Sequence, residues 1–268
     1  MKVALIVGGL LRHYKKTADN FKDIKNAFKE NGISVDTFFS IWDITGEITG
    51  DKTSTASLDS RGWCSFNPVT PGILQEISTQ YNPTKIEVED FEKWKDKNAP
   101  AIQSFMDKHN HNHVPQFITN SLFSQYYKVS QAIHLIPSMD NYDYVFKYRT
   151  DTQYNPASFG SFLTQLKQKA CDFYFPALWG QDRSDNKTGS MDLGLFFTPK
   201  TASHLFSFYD WFQHECSPEM IAQSTAPSRF GDHIAPEILL LNYIKAKKMT
   251  YCCINFLGPG SQNNWLVR

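Results

Sequence analysis

The chain has 268 residues, of which 41% are hydrophobic and 15% are aromatic. This composition can bury a sizeable core, so it excludes disordered and fibrous proteins. Because 27 Lys and Arg residues balance 27 Asp and Glu residues, no basic field is present to draw the chain onto nucleic acid or anionic lipid. We therefore expect a small or locally recognised partner and no nucleic acid.

Hydropathy predicts no membrane span and no export signal. The apolar stretch from Val3 to Leu11 is about half the length needed to cross ~30 Å of hydrocarbon. The five cysteines form no CxxC pair, which favours a reducing compartment and buried thiols. Together these features predict a cytoplasmic protein.

The first part of the chain predicts a strand, a helix and a second strand. The aliphatic run from Met1 to Gly9 is typical of a strand covered on both faces of a parallel sheet. The helix that follows has Thr17 as a candidate cap and Gly32 as its left-handed end. A second strand, Val35 to Trp42, ends at Asp43 and completes a βαβ unit.

The next segment is less regular. Residues 44–70 predict a long loop or excursion, and residues 85–88 predict a strand. The polar segment that follows suits an exposed helix or loop and contains three alternating histidines, His109 to His113. A metal site there would have one nearby carboxylate and no cysteine, so a solvated loop explains the histidines better.

The most informative segment follows a helix predicted across residues 119–136. A short apolar strand, Tyr144 to Phe146, delivers Arg149 and Asp151 to its carboxyl end. Open α/β sheets bind their ligands at that edge. On position alone, Asp151 is either a functional group or one half of an ion pair that anchors a loop.

The rest of the chain continues the alternation of helices and strands. We predict helices at residues 159–166, 201–212 and 236–247, and strands at 172–177, 193–197 and 251–256. The predicted fold class is α/β, with a mixed, mainly parallel central sheet flanked by helices. No linker divides the chain, so we expect one domain over residues 1–268, with halves 1–118 and 119–268.

Two stretches carry a resemblance to a known family. Tyr-Asp-Tyr-Val at 142–145 followed by Arg-Thr-Asp at 149–151 resembles nucleotide-sugar glycosyltransferases of the GT-A fold. Lys2 to Arg12, with Phe38 to Asp43, resembles bacterial and viral polysaccharide glycosyltransferases related to the WavE lipopolysaccharide-synthesis proteins. The resemblance covers residues 1–45 and about 119–245. It implies a Rossmann-like GT-A domain that transfers a sugar from a UDP- or GDP-sugar to a saccharide or glycan acceptor in polysaccharide biosynthesis.

The same resemblance implies a metal site. In GT-A enzymes an Asp-x-Asp motif holds Mn²⁺ or Mg²⁺ against the donor diphosphate. Here only the last carboxylate, Asp151, matches, and Arg149 stands in the place of the first. His233 would complete the metal site or contact the diphosphate. Arg149 would either neutralise phosphate or form a structural ion pair with Asp151.

The resemblance also implies a donor site at the end of the first strand. Gly8 and Gly9 would let the backbone approach the base or ribose, and Arg12 would reach phosphate. Asp43 is assigned to the same site, although Arg12 and Asp43 could equally be solvated loop charges. The residues from Gly8 do not form GxGxxG, so we reject a dinucleotide-binding site.

A helix residue joins this predicted donor site. Ser124-Gln-Tyr-Tyr-Lys128 resembles a Ser-x-x-Tyr-Lys stretch that lines the donor site in such enzymes. Lys128 is the candidate for contact with the nucleotide sugar, and a solvated lysine on the helix surface is the alternative. Tyr126 lies on the apolar stripe and is assigned to the core.

Inverting transfer needs a base for the acceptor hydroxyl, and a partly buried carboxylate suits that task. Asp192 precedes a predicted strand, Asp232 lies in the loop before the last helix, and Glu237 begins that helix. For Glu237, a favourable charge at the positive end of the helix explains its position equally well. These three carboxylates are the catalytic candidates.

Aromatic side chains could stack on sugars, although most will be core; the candidates are Trp179, Tyr209, Trp211 and Trp265. Trp179 has the best position to face an acceptor. The sequence lacks a GxSxG elbow, a phosphate loop and an HExxH motif. Two other functions remain open: a non-catalytic nucleotide-sugar or carbohydrate-binding protein of the same fold, and a metal-dependent phosphoesterase using Asp151, Asp232 and His233.

Overall fold

The computed structural model describes the backbone of residues 1–48, 64–109, 122–166, 168, 171–175, 194–226, 233–234 and 236–253. The elements of the first half are β1 (Lys2–Arg12), α1 (Tyr14–Glu30), β2 (Ser34–Ile48), β3 (Cys64–Pro68), α2 (Pro71–Tyr81), β4 (Lys85–Glu89) and α3 (Phe91–His109). Those of the second half are α4 (Ser124–His134), β5 (Tyr144–Tyr148), α5 (Pro156–Leu166), β6 (Phe173–Phe175), β7 (Gly194–Phe197), α6 (Pro199–His214), α7 (Pro218–Gln223), β8 (Thr225–Ala226), β9 (His233–Ile234), α8 (Pro236–Ala246) and β10 (Tyr251–Cys253).

Within these described residues, eight strands form one mixed sheet. The order is β10-β6-β7-β5-β1-β2-β3, and β4 pairs with β2 beside β3. Strands β1, β2, β4 and β5 run parallel, as do β6 and β10. Strand β7 runs antiparallel to β5 and β6, and β3 runs antiparallel to β2. The predicted α/β fold class, with a mainly parallel sheet flanked by helices, is confirmed.

The alternation of side chains along β1 divides the core into two layers. Val3, Leu5 and Val7 pack on one face with residues of α1, α2 and α5. Ala4 and Ile6 pack on the other face with residues of α3, α4, α6 and α8. Because both faces are covered, β1 reads as a continuous aliphatic run rather than as alternating apolar and polar residues.

Several element boundaries differ from the sequence predictions. Strand β2 continues past Asp43 to Ile48, because its last residues pair with β3. The predicted excursion therefore includes two strand segments, and residues 49–63 lie outside the described part. Thr17 does not cap α1, whose N-cap residue is His13. Gly32 adopts a φ of +66°, which confirms the left-handed end.

The cysteines also differ from expectation. Cys171, before β6, forms a disulfide with Cys252 in β10, so the prediction of buried thiols is wrong for this pair. Cys216 is a free, buried thiol, and burial raises its pKa to about 11. Among the described residues, no helix combines the length and apolarity that a membrane crossing requires. The cytoplasmic location stays a prediction.

Candidate functional site

Parallel strands bring their carboxyl ends to one edge of the sheet, and four strands do so here. Strands β1, β2, β4 and β5 share this edge because β1 pairs in parallel with β2 and β5, and β2 pairs in parallel with β4. Ligand sites of open α/β sheets form at such an edge. The predicted residues at or beside it are Gly8, Gly9, Arg12, Asp43, Lys128, Arg149 and Asp151.

Asp151 lies in the turn after β5 and is 2% exposed. Each of its carboxylate oxygens accepts a hydrogen bond from Arg149, from Nε to Oδ1 at 2.8 Å and from Nη2 to Oδ2 at 2.7 Å. Nη1 of Arg12 lies 3.8 Å from Oδ2. The bidentate geometry is the strong form of an arginine–carboxylate pair. Of the two roles considered for Arg149, the ion pair with Asp151 is present in the structure.

The charge state of Asp151 follows from opposing effects. Burial by itself raises the pKa of the carboxyl group, because it disfavours the charged form. The positive charge and hydrogen bonds of Arg149, with the charge of Arg12, outweigh burial and lower the pKa to about 2. Asp151 is therefore ionised at neutral pH. Two guanidiniums and one carboxylate leave a net positive charge on this group, which we call the arginine cluster (Arg12, Arg149 and Asp151).

Backbone and hydroxyl contacts hold the arginine cluster in place. The Arg12 N–H donates to Oγ1 of Thr150 at 3.1 Å, and Oγ1 of Thr17 donates to the Thr150 carbonyl at 2.5 Å. The Thr152 N–H donates a hydrogen bond to the Arg149 carbonyl at 3.2 Å, which closes the turn. Thr17 thus ties α1 to the turn after β5 instead of capping its helix. Sequence reasoning missed Thr150, although it lies between the two residues singled out.

Lys128 is buried, with 0% of its side chain exposed. Its Nζ donates to Glu89 Oε2 at 2.9 Å, approaches Ser40 Oγ at 3.4 Å and lies 4.3 Å from the ring centroid of Trp42. Burial lowers the pKa of Lys128, and Glu89 opposes this effect. The alternative of a solvated lysine on the helix surface is wrong.

Glu89 is the partner that sequence reasoning missed. Its Oε1 accepts a hydrogen bond from the Tyr127 hydroxyl at 2.8 Å, and 33% of its side chain is exposed. The Tyr127 ring stacks on Trp42 with centroids 5.8 Å apart. Glu89 directly follows the predicted strand 85–88, so the rule that selected Asp151 would also have selected it. We call Lys128, Glu89, Ser40, Trp42 and Tyr127 the lysine cluster.

Asp43 has a structural role at this edge. Its Oδ1 accepts a hydrogen bond from the Phe91 N–H at 2.9 Å, and its carbonyl accepts one from the Val69 N–H at 2.7 Å. These contacts join β2 to the start of α3 and to the residue after β3. Asp43 is therefore not a solvated loop charge, and its assignment to a donor site stays a prediction.

The two glycines of β1 differ in their surroundings. A Cβ at Gly8 would come within 2.8 Å of the Lys128 carbonyl oxygen and 2.9 Å of the Val129 nitrogen. Gly8 therefore lets the backbone of α4 pack directly on β1. Gly9 has a φ of +112°, which favours glycine, and a Cβ there would meet no described atom within 4 Å. Gly9 thus leaves space at the edge.

The described residues do not fit a divalent metal at Asp151. Both of its oxygens are engaged by Arg149, and Arg12 adds a second positive charge. Divalent cations prefer several oxygen ligands, and the described part of the chain has no group of three His, Cys, Asp or Glu side chains that could hold a metal. The Mn²⁺ or Mg²⁺ site implied by the resemblance stays a prediction.

Other candidates lie outside the described residues or in the core. Asp192, Asp232, Trp179 and Trp265 lie outside, as do the side chains of His233 in β9 and Glu237 in α8. Two of the sugar-stacking candidates, Tyr209 and Trp211, are buried in the core, and Tyr126 is buried there as predicted. His109 ends α3 and packs on Phe105 with ring centroids 4.5 Å apart, so the solvated-loop explanation is wrong for it. Residues 110–113 lie outside the described part.

Comparisons with known proteins give a structural similarity and no sequence match. No family model and no curated protein matches this sequence. Twenty-four chains of solved structures match. One is the apo form of mouse xyloside xylosyltransferase 1, with 8% identity and a TM-score of 0.42 over 95% of this chain and 85% of that chain. At this identity and TM-score, the similarity assigns no activity to the present chain.

Proposed function

We propose that this chain is a glycosyltransferase that moves a sugar from a nucleotide-diphosphate donor to a saccharide acceptor at the carboxyl edge of its sheet. The observation that carries the proposal is the arginine cluster, where a net positive charge stands at the ends of β1 and β5. Guanidinium groups match phosphate oxygens in geometry and charge. The sequence resemblance to GT-A enzymes falls on the same two segments.

The reaction breaks the bond between the anomeric carbon of the donor and its phosphate oxygen, and forms a bond to the acceptor oxygen. The nucleoside diphosphate leaves with the electron pair of the broken bond. In an inverting reaction the acceptor proton passes to a base. Asp192, Asp232 and Glu237 are the proposed sources of that base.

The test is an assay of product formation with UDP- and GDP-sugars and a panel of saccharide acceptors. We expect one donor to yield free nucleoside diphosphate and glycosylated acceptor in equal amounts. One of the variants Asp192→Asn, Asp232→Asn or Glu237→Gln should lose product while it still binds donor. Asp19→Asn is the matched control, because this carboxylate is 94% exposed on α1.

The same assay separates the other functions. Donor binding with no nucleoside diphosphate released with any acceptor would favour a non-catalytic binding protein. Release of nucleoside monophosphate and sugar 1-phosphate, with no glycosylated product, would favour a phosphoesterase. Either result would overturn the proposed transferase.

A further inference from the structure

The guanidinium of Arg12 has no hydrogen-bond acceptor among the described residues. Its backbone N–H donates a hydrogen bond to Thr150, and the one described carboxylate that its side chain approaches is Asp151, at 3.8 Å. The side chain is 26% exposed, so it is partly desolvated and still reachable. A guanidinium has five N–H donors, and such a group is prepared to bind an anion with several oxygens.

Asp151 has a different relation to each arginine. It holds Arg149 by two hydrogen bonds, which use both carboxylate oxygens, and it attracts Arg12 without a hydrogen bond. The Arg149–Asp151 pair is neutral as a unit. The unbalanced positive charge of the cluster is therefore the charge of Arg12.

We propose that Arg12 binds the donor diphosphate directly, in place of a divalent cation, and that Asp151 is a positioning residue that holds the two guanidiniums in one arrangement. The identity of the ligand rests on the proposed function. The anion site itself rests on the contacts of Arg12 and Asp151.

The chemistry of transfer requires such a charge. As the bond to the anomeric carbon breaks, the diphosphate keeps the electron pair and its negative charge grows. Fixed N–H donors and positive charge near that group stabilise it more than they stabilise the bound donor. Arg12 would supply both, and the contact between its backbone N–H and Thr150 fixes where the side chain begins.

The experiment uses inorganic pyrophosphate as the probe, titrated by calorimetry in excess EDTA. We expect the wild type to bind and Arg12→Gln to bind at least about tenfold more weakly. Lys29→Gln is the matched control, because it removes one positive charge from the exposed last turn of α1. The affinity of Arg12→Lys for pyrophosphate should lie between those of the wild type and Arg12→Gln, since this variant keeps the charge and loses the planar donors.

Asp151→Asn tests the positioning role. It should still bind pyrophosphate in EDTA, because both guanidiniums remain, but lose the preference for pyrophosphate over orthophosphate that a fixed arrangement gives. A purely structural role would lower stability and leave that preference unchanged. Pyrophosphate binding that requires Mn²⁺, or that Arg12→Gln leaves intact, would overturn the proposal.

Failure of this inference is distinguishable from failure of the proposed function. If pyrophosphate binds through Arg12 in EDTA but no nucleotide sugar is turned over, the anion site stands and the transferase does not. If a nucleotide sugar is turned over only with Mn²⁺, and Arg12→Gln turns it over at the wild-type rate, the transferase stands and the metal-free anion site is wrong.

Discussion

Two ionic clusters at the same edge of the sheet differ in how their charges balance. In the arginine cluster a buried carboxylate lies between two guanidiniums, so among the described residues one positive charge is left over. In the lysine cluster a buried ammonium group faces one partly exposed carboxylate, and the charges cancel. Strand-end position is common to both clusters. The proposed anion site therefore rests on the balance of charge within the arginine cluster and not on strand-end position.

Burial acts on both clusters but has opposite consequences for stability. For Asp151, two positive charges outweigh burial, so folding favours the ionised form. For Lys128, burial outweighs the hydrogen bond and charge of Glu89 and the more distant charges of Glu87 and Asp43, so folding disfavours the charged form. The arginine cluster therefore stabilises the fold at neutral pH, whereas the charge of Lys128 opposes folding.

The largest expected effect is on Asp151. Replacing it with Asn should lower the unfolding free energy by about 3 kcal/mol near neutral pH, because two guanidiniums lose their carboxylate. The folded pKa lies below the unfolded value, so this stabilisation is present above about pH 4 and is lost as the pH falls toward about 2. Urea unfolding across this pH range should show that the difference in unfolding free energy between wild type and variant becomes smaller as the pH falls. A difference independent of pH would contradict the ionised, paired carboxylate.

The next effect concerns Glu89. Glu89→Gln should lower the unfolding free energy by about 2 kcal/mol, because it leaves the buried charge of Lys128 without its partner, although Glu89 is partly solvated. The measurement is urea unfolding near neutral pH. Glu92→Gln, at an exposed position in the first turn of α3, is the control. Equal stability of the two variants would show that Glu89 does not stabilise the buried charge of Lys128.

A third substitution should not lower the unfolding free energy. Lys128→Met should leave the protein as stable as the wild type or more stable by about 1 kcal/mol, since an apolar side chain replaces a buried charge. Wild-type stability should rise as the pH approaches about 10, because the folded state releases the Lys128 proton first. In urea unfolding at alkaline pH, the difference in unfolding free energy between Lys128→Met and the wild type should therefore become smaller. A large loss of stability would show that the lysine cluster stabilises the fold.

The smallest effect on stability should come from Arg12. Its side chain makes no described hydrogen bond and is partly exposed, so Arg12→Gln should change the unfolding free energy by less than about 1 kcal/mol. The same variant should lose pyrophosphate binding, and this contrast between stability and binding marks a ligand contact. A loss as large as that of Asp151→Asn would place Arg12 in the structural part of the cluster.

Strand-end placement could be read from the sequence for both clusters, but the burial of Lys128 could not. Arg149 and Asp151 follow a short apolar strand, so the edge rule places them correctly. Glu89 follows a predicted strand in the same way, but its importance depends on Lys128, which lies 39 residues further along the chain. A lysine on a helix gives no local sign of burial, because its solvation depends on what packs over it.

Local periodicity determined most of what the sequence shows about this protein. The aliphatic run of β1, the stripe of α1 and the strand before Arg149 are local patterns, and each forms the expected element. Partners distant in the chain came only from the tertiary structure. Arg12 and Thr150 are 138 residues apart, and Cys171 and Cys252 are 81 apart. Strand order decides which side chains meet, and therefore which charges are paired among the described residues.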